Sequence, residues 1–311
     1  MSGLSTSLPE FTEKLLSAAR GAGADAADAL ASMGSAIEIN VRSGVLEQAE
    51  RSETMDMGLR VFVGQRQAVV SGSDLRDGTL TTMAERAVAM AKEAPDDPYA
   101  GLAAPEQLAV DWNVEALELY DTQPEPSAGA LEADALAAEA AALGVAGIEQ
   151  VDAASASYGS GQVHFQTSAG FAGGYQRSSR SISCVAIAGS GLQMERDYDF
   201  DNRIFQEDLT NPAEIGAKAG ARAVARLKPS KPPTGQFPVL FDERVASSLI
   251  GHFLSAINGA SVARGSSWLL EGLGQQVFPD GTQLIEDPHR PRVAGSRPFD
   301  GEGLPTQRRA L

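Results

Sequence analysis

Between Ala26 and Ser73 apolar and polar side chains alternate with period two: Ile37, Ile39 and Val41 against Glu38, Asn40 and Arg42, then Leu59, Val61 and Val63 further on. Extended backbone puts alternate residues on opposite faces, so this stretch has one apolar face that something must cover. Ser43-Gly44 and Gly64 to Arg66 supply turn chemistry and Ala68 to Val70 returns, which predicts an antiparallel meander. The cover is close in sequence. Leu8 to Ala22 predicts an amphipathic helix with Phe11, Leu15, Leu16 and Ala19 on one face, ended by Gly21 and Gly23. A second helix, capped by Asp77, is expected to run to Glu93 with Leu80, Met83, Ala84, Ala87, Val88 and Ala91 on one face, until Pro95 stops it.

Prolines 95, 98, 105, 124 and 126 among acidic residues predict an extended linker over Ala94 to Pro126, with one short element around Trp112 to Leu119. Ser127 then caps an alanine-rich helix to Leu143. Strands follow, punctuated by turns at Gly159 to Gly161, Gly170 to Gly174 and Gly189 to Gly191. Asn211-Pro212 opens a helix to Lys228 whose Lys218, Arg222 and Arg226 form a basic ridge. Three prolines between Pro229 and Gly235 break the chain again. Beyond them the pattern predicts a strand at Phe237 to Phe241 and an Asp242-capped helix to about Asn258, with Val245, Leu249, Phe253 and Ile257 in line. A strand at Gln276 to Ile285 and a Pro/Arg-rich tail to Leu311 complete it. The class is α+β in three parts: a helix-and-meander domain over 1–105, a central helix and strand domain over 127–228, and a β-rich C-terminal domain over 235–311.

Composition excludes several functions. No apolar run approaches the ~18 residues that a membrane-crossing helix needs. Met1 to Pro9 has no basic n-region, so the expected location is the cytoplasm. The lone Cys184 forbids an internal disulfide and a Cys-rich zinc site. Charge is −16, from 25 basic and 41 acidic residues, and is uneven: Glu93 to Gln176 holds 14 acidic residues and no Lys or Arg. Such a surface repels phosphate backbones and anionic lipid, so neither nucleic acid nor membrane is an expected partner. The stretch reads as a solvated acidic face, with a basic partner protein as the alternative.

Asp197, Asp199, Asp201 and Asp208 imitate the carboxylate spacing of a calcium loop, but Asn202 stands where the sharp turn needs Gly, which favours an acidic cluster at a strand end. Gly21-Ala22-Gly23 follows a helix rather than a strand and is no dinucleotide loop; neither a phosphate-binding loop nor a nucleophile elbow occurs. His164, His252 and His289 are too far apart in sequence for a helical zinc pair. His252, near the apolar face of its helix, is expected to be a packed or interface histidine.

Several longer strings carry a resemblance. Gly58-Leu59-Arg60-Val61-Phe62-Val63-Gly64, Ser73-Asp74-Leu75 and Ala94-Pro95-Asp96-Asp97-Pro98-Tyr99-Ala100-Gly101-Leu102 occur in that order. Gln193-Met194-Glu195-Arg196-Asp197-Tyr198-Asp199-Phe200, Glu286-Asp287-Pro288 and Arg297-Pro298-Phe299-Asp300-Gly301-Glu302-Gly303-Leu304-Pro305-Thr306 follow. Together they resemble the PmbA/TldD family, the modulator-of-DNA-gyrase proteins, over essentially the whole chain. The resemblance implies a cytosolic two-subunit peptidase, TldD with TldE, that clips unfolded peptides, including peptide-antibiotic precursors and an antitoxin.

In that family the TldD-type subunit carries H-E-x-x-x-H on a helix, two zinc-binding histidines and a water-activating glutamate, with a cysteine ligand near its C-terminus. Neutral imidazoles hold Zn²⁺, the metal acidifies a water, and a carboxylate takes the proton. Aligning Gly251-His252 with the end of the motif puts Ser247 at the first histidine and Ser248 at the glutamate; His252 alone remains, and Cys184 lies before the helix. The resemblance therefore implies the TldE/PmbA-type branch. That branch predicts no catalytic residue and no cofactor in this chain, zinc in a TldD-like catalytic partner, a peptide substrate, and a homodimer when isolated. Family members continue beyond Pro305-Thr306, so the C-terminal domain is expected to be cut short at Leu311, exposing strand edges and apolar surface. An autonomous metallopeptidase and a peptide-binding adaptor that pairs extended chains onto sheet edges are the alternatives.

Overall fold

The computed structural model of the chain describes residues 7–311. They divide into two compact units, one comprising the described residues up to Lys228 with Glu286–Arg309, the other Pro229–Ile285 with Ala310–Leu311.

The larger unit is built on one antiparallel sheet. Its strands are β1 (Ala26–Arg42), β2 (Val45–Val63), β3 (Arg66–Gly72), β4 (Ile148–Thr167), β5 (Ala172–Ala188) and β6 (Glu195–Arg203), in the order β3-β2-β1-β4-β5-β6. The expected meander forms, and Ser43 and Gly44 turn it with φ of 56° and 75°, the paired positive values of a tight hairpin. β1 pairs with β2 on one side and β4 on the other, so the segments flanking the linker share one sheet.

Along β1 the buried Ala27, Ala29, Ala31, Ile37, Ile39 and Val41 have the same parity and hence face one side. Strands of up to 20 residues extend about 65 Å, far beyond what one helix pair of ~25 Å covers. Two pairs therefore share that face. Helices α1 (Leu8–Ala22) and α2 (Asp77–Glu93) bury Ala27, Ala29, Met57, Leu59 and Val61 at one end. Helices α3 (Ala128–Leu143) and α4 (Pro212–Ala225) bury Ile37, Val41, Ala156, Ile182 and Ala186 at the other. α4 meets α3 almost backbone to backbone: a Cβ on Gly216 would fall 1.9 Å from the Ala138 carbonyl oxygen.

Local signals set most boundaries. The Ser127 and Asn211 side chains accept hydrogen bonds from Ala130 N and Ala213 N at the starts of α3 and α4. Gly23, in the left-handed region, closes α1, while Gly21 lies inside it. Asp77 is the first residue of α2 and not its cap; Asp74 takes the adjacent turn, accepting from Arg76 N and Thr79 Oγ1. α4 ends at Ala225, short of Lys228.

Three other expectations are corrected. Gly159 to Gly161 is no turn: β4 runs straight through, and a Cβ on Gly159 would sit 3.0 Å from Ser179 Oγ on β5. The proline-rich stretch before α3 is packed rather than a free linker. Leu117 and Leu119 are buried, and Ser178 N donates to Leu119 O beyond the end of β6. The tail returns to the larger unit on the face opposite the helices, where Phe299 packs edge-on to Phe171 at 4.8 Å and Ala109 N donates to Gly303 O.

In the smaller unit, α5 (Glu243–Ala256) is capped by Asp242 as expected, and α6 (Gly259–Ala263) follows. Ser267 Oγ donates to Ala256 O, and Phe253 meets Phe278 edge-on at 5.0 Å. The β-rich character expected here is not found. Phe237 to Phe241 has no ladder partner among the described residues, and of Gln276 to Ile285 only Ile285 pairs. The aligned apolar positions of α5 stay open, with Val245, Leu249 and Ile257 at 48, 45 and 43% exposure.

Candidate functional site

α5 carries the positions singled out by their alignment with a zinc motif. Ser247, Ser248 and His252 are all exposed, and Ser248 Oγ donates to the Val245 carbonyl of the preceding turn. This donor set is one imidazole and two neutral hydroxyls. It does not fit zinc, which takes imidazole, thiolate or carboxylate ligands. Among the described residues no group of three His, Cys, Asp or Glu is placed to hold a metal ion. His252 is not packed as expected, because its neighbour Leu249 is itself open to solvent and offers no buried face to join.

The other histidines sit in separate local contacts. His164 of β4 has Nδ1 2.9 Å from Thr12 Oγ1 of α1, and burial holds its pKa below the ordinary histidine value. His289 Nε2 lies 2.9 Å from Thr306 Oγ1 in the tail.

The acidic row is a structural element within β6 rather than at a strand end. Asp197 and Asp199 face α4, where Arg226 reaches Asp197 at 3.0 Å, Arg222 pairs with Asp199, and Lys218 stands 3.7 Å from Asp199. Asp201 is desolvated, yet its carboxyl is held below the usual range by hydrogen bonds from Thr210 N and Oγ1 and by Arg203. Asn202 continues the strand, so no calcium-loop turn forms. The basic ridge thus partners Asp197 and Asp199, while Asp201 is held by Arg203 and Thr210. Beneath them Cys184 is buried against the helices, its thiol pushed up to about 12 by burial and then by Glu139.

Several carboxylates of the cation-free stretch also have partners, each an arginine from elsewhere in the chain. Arg66 holds Asp96 at 2.8 Å, Arg51 holds Glu125 at 2.6 Å, and Arg292 holds Glu118 at 3.1 Å. The stretch is therefore tied into the fold rather than simply solvated.

The face opposite the helices carries groups that pattern analysis missed. Arg60 on β2 binds Asp28 on β1 at 2.7 Å through Nε and Glu302 of the tail at 2.7 Å through Nη2. Burial opposes charge on both Arg60 and Asp28; for Arg60 the two carboxylates outweigh it and raise the pKa, whereas for Asp28 desolvation wins and pushes the carboxyl up. Arg177 on β5 donates to the carbonyls of Ala294 and Ser296 and stacks on Tyr175. Two hollows flank the sheet's middle. One, of about 420 Å³, is floored by Gly34, Gly159 and Gly161 and edged by Arg177. The other, of about 900 Å³, opens on the helix-covered face, where Met33, Met55, Gln162 and Gln176 form one cross-strand row among its walls. The only sequence signal for the first set was that Arg60 and Glu302 both lie in strings that carry the family resemblance.

Comparison with known proteins gives a consistent picture. Sequence models of PmbA/TldA metallopeptidase domain 1, central domain and C-terminal domain match residues 27–91, 121–227 and 234–311. The chain is 33% identical over 287 residues to metalloprotease PmbA of Escherichia coli O157:H7, covering 92% of this chain and 63% of that protein. It is 35% identical over 279 residues to a metalloprotease PmbA homolog of Haemophilus influenzae, covering 89% and 61%. The chain thus spans about three fifths of the length of these curated relatives. Among solved structures, a protein from Bacteroides thetaiotaomicron described as a modulator of DNA gyrase superposes with a TM-score of 0.89 at 24% identity, covering 97% of this chain and 68% of that one. TldE from Thermococcus kodakarensis gives a TM-score of 0.74 at 18% identity, covering 97% and 67%. At these identities the structures establish the shared fold.

Proposed function

The chain belongs to the PmbA/TldD metallopeptidase family, and from that premise we propose that it serves as the TldE/PmbA-type subunit of a two-subunit peptidase. In this reading a TldD-like partner supplies the zinc site, and this chain helps enclose unfolded peptide substrates, among them peptide-antibiotic precursors and an antitoxin, in the cytoplasm. No described helix is long and apolar enough to cross a membrane, which is compatible with that location.

One observation carries the reading: α5 offers Ser247, Ser248 and His252 where the family's metal helix needs His, Glu and His. None of the chain's three histidines is followed by glutamate. A serine hydroxyl neither replaces an imidazole on Zn²⁺ nor takes a proton from bound water at neutral pH. What this chain can contribute is shape, through a rigid long-stranded sheet, and binding surface.

A second reading, an autonomous metallopeptidase, is favoured by the name metalloprotease borne by the PmbA relatives. Metal analysis and peptide cleavage, with the protein alone and then with a TldD-like subunit, separate the two. Zinc and turnover only in the mixture support the partner-subunit reading; both in the protein alone support the second.

A further inference from the structure

In a chain of net charge −16, neither Arg177 nor Arg297 forms an ion pair with a carboxylate among the described residues, although the two groups lie side by side. Both guanidinium groups converge on the same two carbonyls instead. Arg177 Nη1 donates to Ala294 O at 2.6 Å and its Nη2 to Ser296 O, while Arg297 Nη1 donates to the same oxygens at 2.9 and 2.8 Å. Carbonyl oxygens bring only partial charge, so two formal positive charges share a corner of the molecule uncompensated. Burial first, and the Arg297 charge second, hold the Arg177 pKa below its ordinary value. Its Nε is buried and has no acceptor.

The sheet supplies a recess beside this corner. Thr54, Gly34, Gly161 and Arg177 form one cross-strand row, and Ser52, Ala36, Gly159 and Ser179 form the next row on the same face. Where glycines stand, no side chain fills the row, and the hollow of about 420 Å³ results. Its rim carries Ser52, Thr54, Ser179 and Asn202, whose side chains have no hydrogen-bond partner among the described residues. Hydroxyl and amide donors beside an uncompensated guanidinium are the complement of an oxyanion.

We propose that this hollow binds a small oxyanion, with Arg177 supplying the charge and Ser179, Asn202 and Thr54 the flanking donors. A carboxylate or a phosphate group satisfies that chemistry, and the volume admits the terminal residue of a peptide as well as a free ion. The site uses nothing on α5 and stands whether or not the chain partners a zinc subunit.

Calorimetric titration of the 311-residue chain with N-acetyl-alanyl-alanine, with its C-terminal amide, and with inorganic phosphate tests the proposal. Saturable binding of the dipeptide acid alone assigns a peptide terminus, binding of phosphate alone assigns a free ion, and binding of both supports the shared chemistry. In each case the amide must not bind. Arg177→Gln should abolish binding but also loosens the 294–296 segment. The double variant Ser179→Ala/Asn202→Ala leaves those contacts intact and should weaken binding by about tenfold or more at unchanged Tm. Absence of saturable binding by either anion, equal binding of the amide, or unchanged affinity in the double variant would overturn the assignment.

Discussion

The Arg60 guanidinium lies 2.7 Å from a carboxylate oxygen of Glu302, 242 positions further along the chain, and the same group binds the buried Asp28. Two of the strings that carry the family resemblance thus meet at one ion cluster, where they clasp the tail to the sheet. Arg60→Ala leaves Asp28 buried without its cation and should cost about 3 kcal/mol in urea unfolding. Glu302→Gln, at a more exposed carboxylate, should cost about 1 kcal/mol or less. Equal stabilities for Arg60→Ala and the parent would refute the clasp.

The acidic row of β6 makes a second prediction. Asp199 is held by Arg222 and Lys218, so Asp199→Ala removes the carboxylate that faces both cations and should destabilise by about 2 kcal/mol. Calcium should leave the Tm of the parent unchanged. A rise in Tm with calcium that Asp199→Ala abolishes would restore the cation-loop reading.

At the α3–α4 crossing the expected effect is steric. Gly216→Ala drives a methyl into the Ala138 carbonyl and should destabilise by about 3 kcal/mol or more, because backbone must move to admit it. Gly78→Ala, at an open position of α2, serves as the control and should be close to neutral. Similar melting temperatures for the two variants would contradict the close approach.

His164 gives the pH dependence a direction. Its folded pKa lies below the ordinary 6.5, so the unfolded chain takes up the proton more readily than the folded one. Stability from this group is therefore present above that ordinary value and is lost as pH falls through the lower folded value. Tm should drop on acidification from about pH 7.5 to about pH 5, and drop less in His164→Gln, which retains a polar neighbour for Thr12. Superimposable profiles would remove His164 as a contributor.

The N-terminal half was legible in the sequence because its signals are local: period-two alternation, a Ser-Gly turn, and helices with one continuous apolar face such as Phe11, Leu15 and Ala19. The central segment misled at Gly159 and Gly161, since glycine marks both turns and close strand approaches, and only the neighbouring Ser179 tells them apart. The tail's place on the sheet was illegible because Arg60–Glu302 and Phe171–Phe299 join residues more than a hundred positions apart, beyond the reach of any periodicity. At Phe237 to Phe241 the composition suits a strand, but a strand also needs a ladder partner, which composition does not supply. Of the candidate positions, Ser247, Ser248 and His252 were found through the motif alignment. Arg177 went unnoticed because an isolated arginine carries no pattern of its own.

The most direct test of the partner-subunit account is metal content with peptide turnover, measured on the purified protein alone and after mixing with a TldD-like subunit from the same source. The account predicts less than stoichiometric zinc and no chelator-sensitive cleavage for the protein alone, with both appearing in the mixture. Stoichiometric zinc with chelator-sensitive cleavage by this protein alone would contradict it and require ligands other than Ser247, Ser248 and His252.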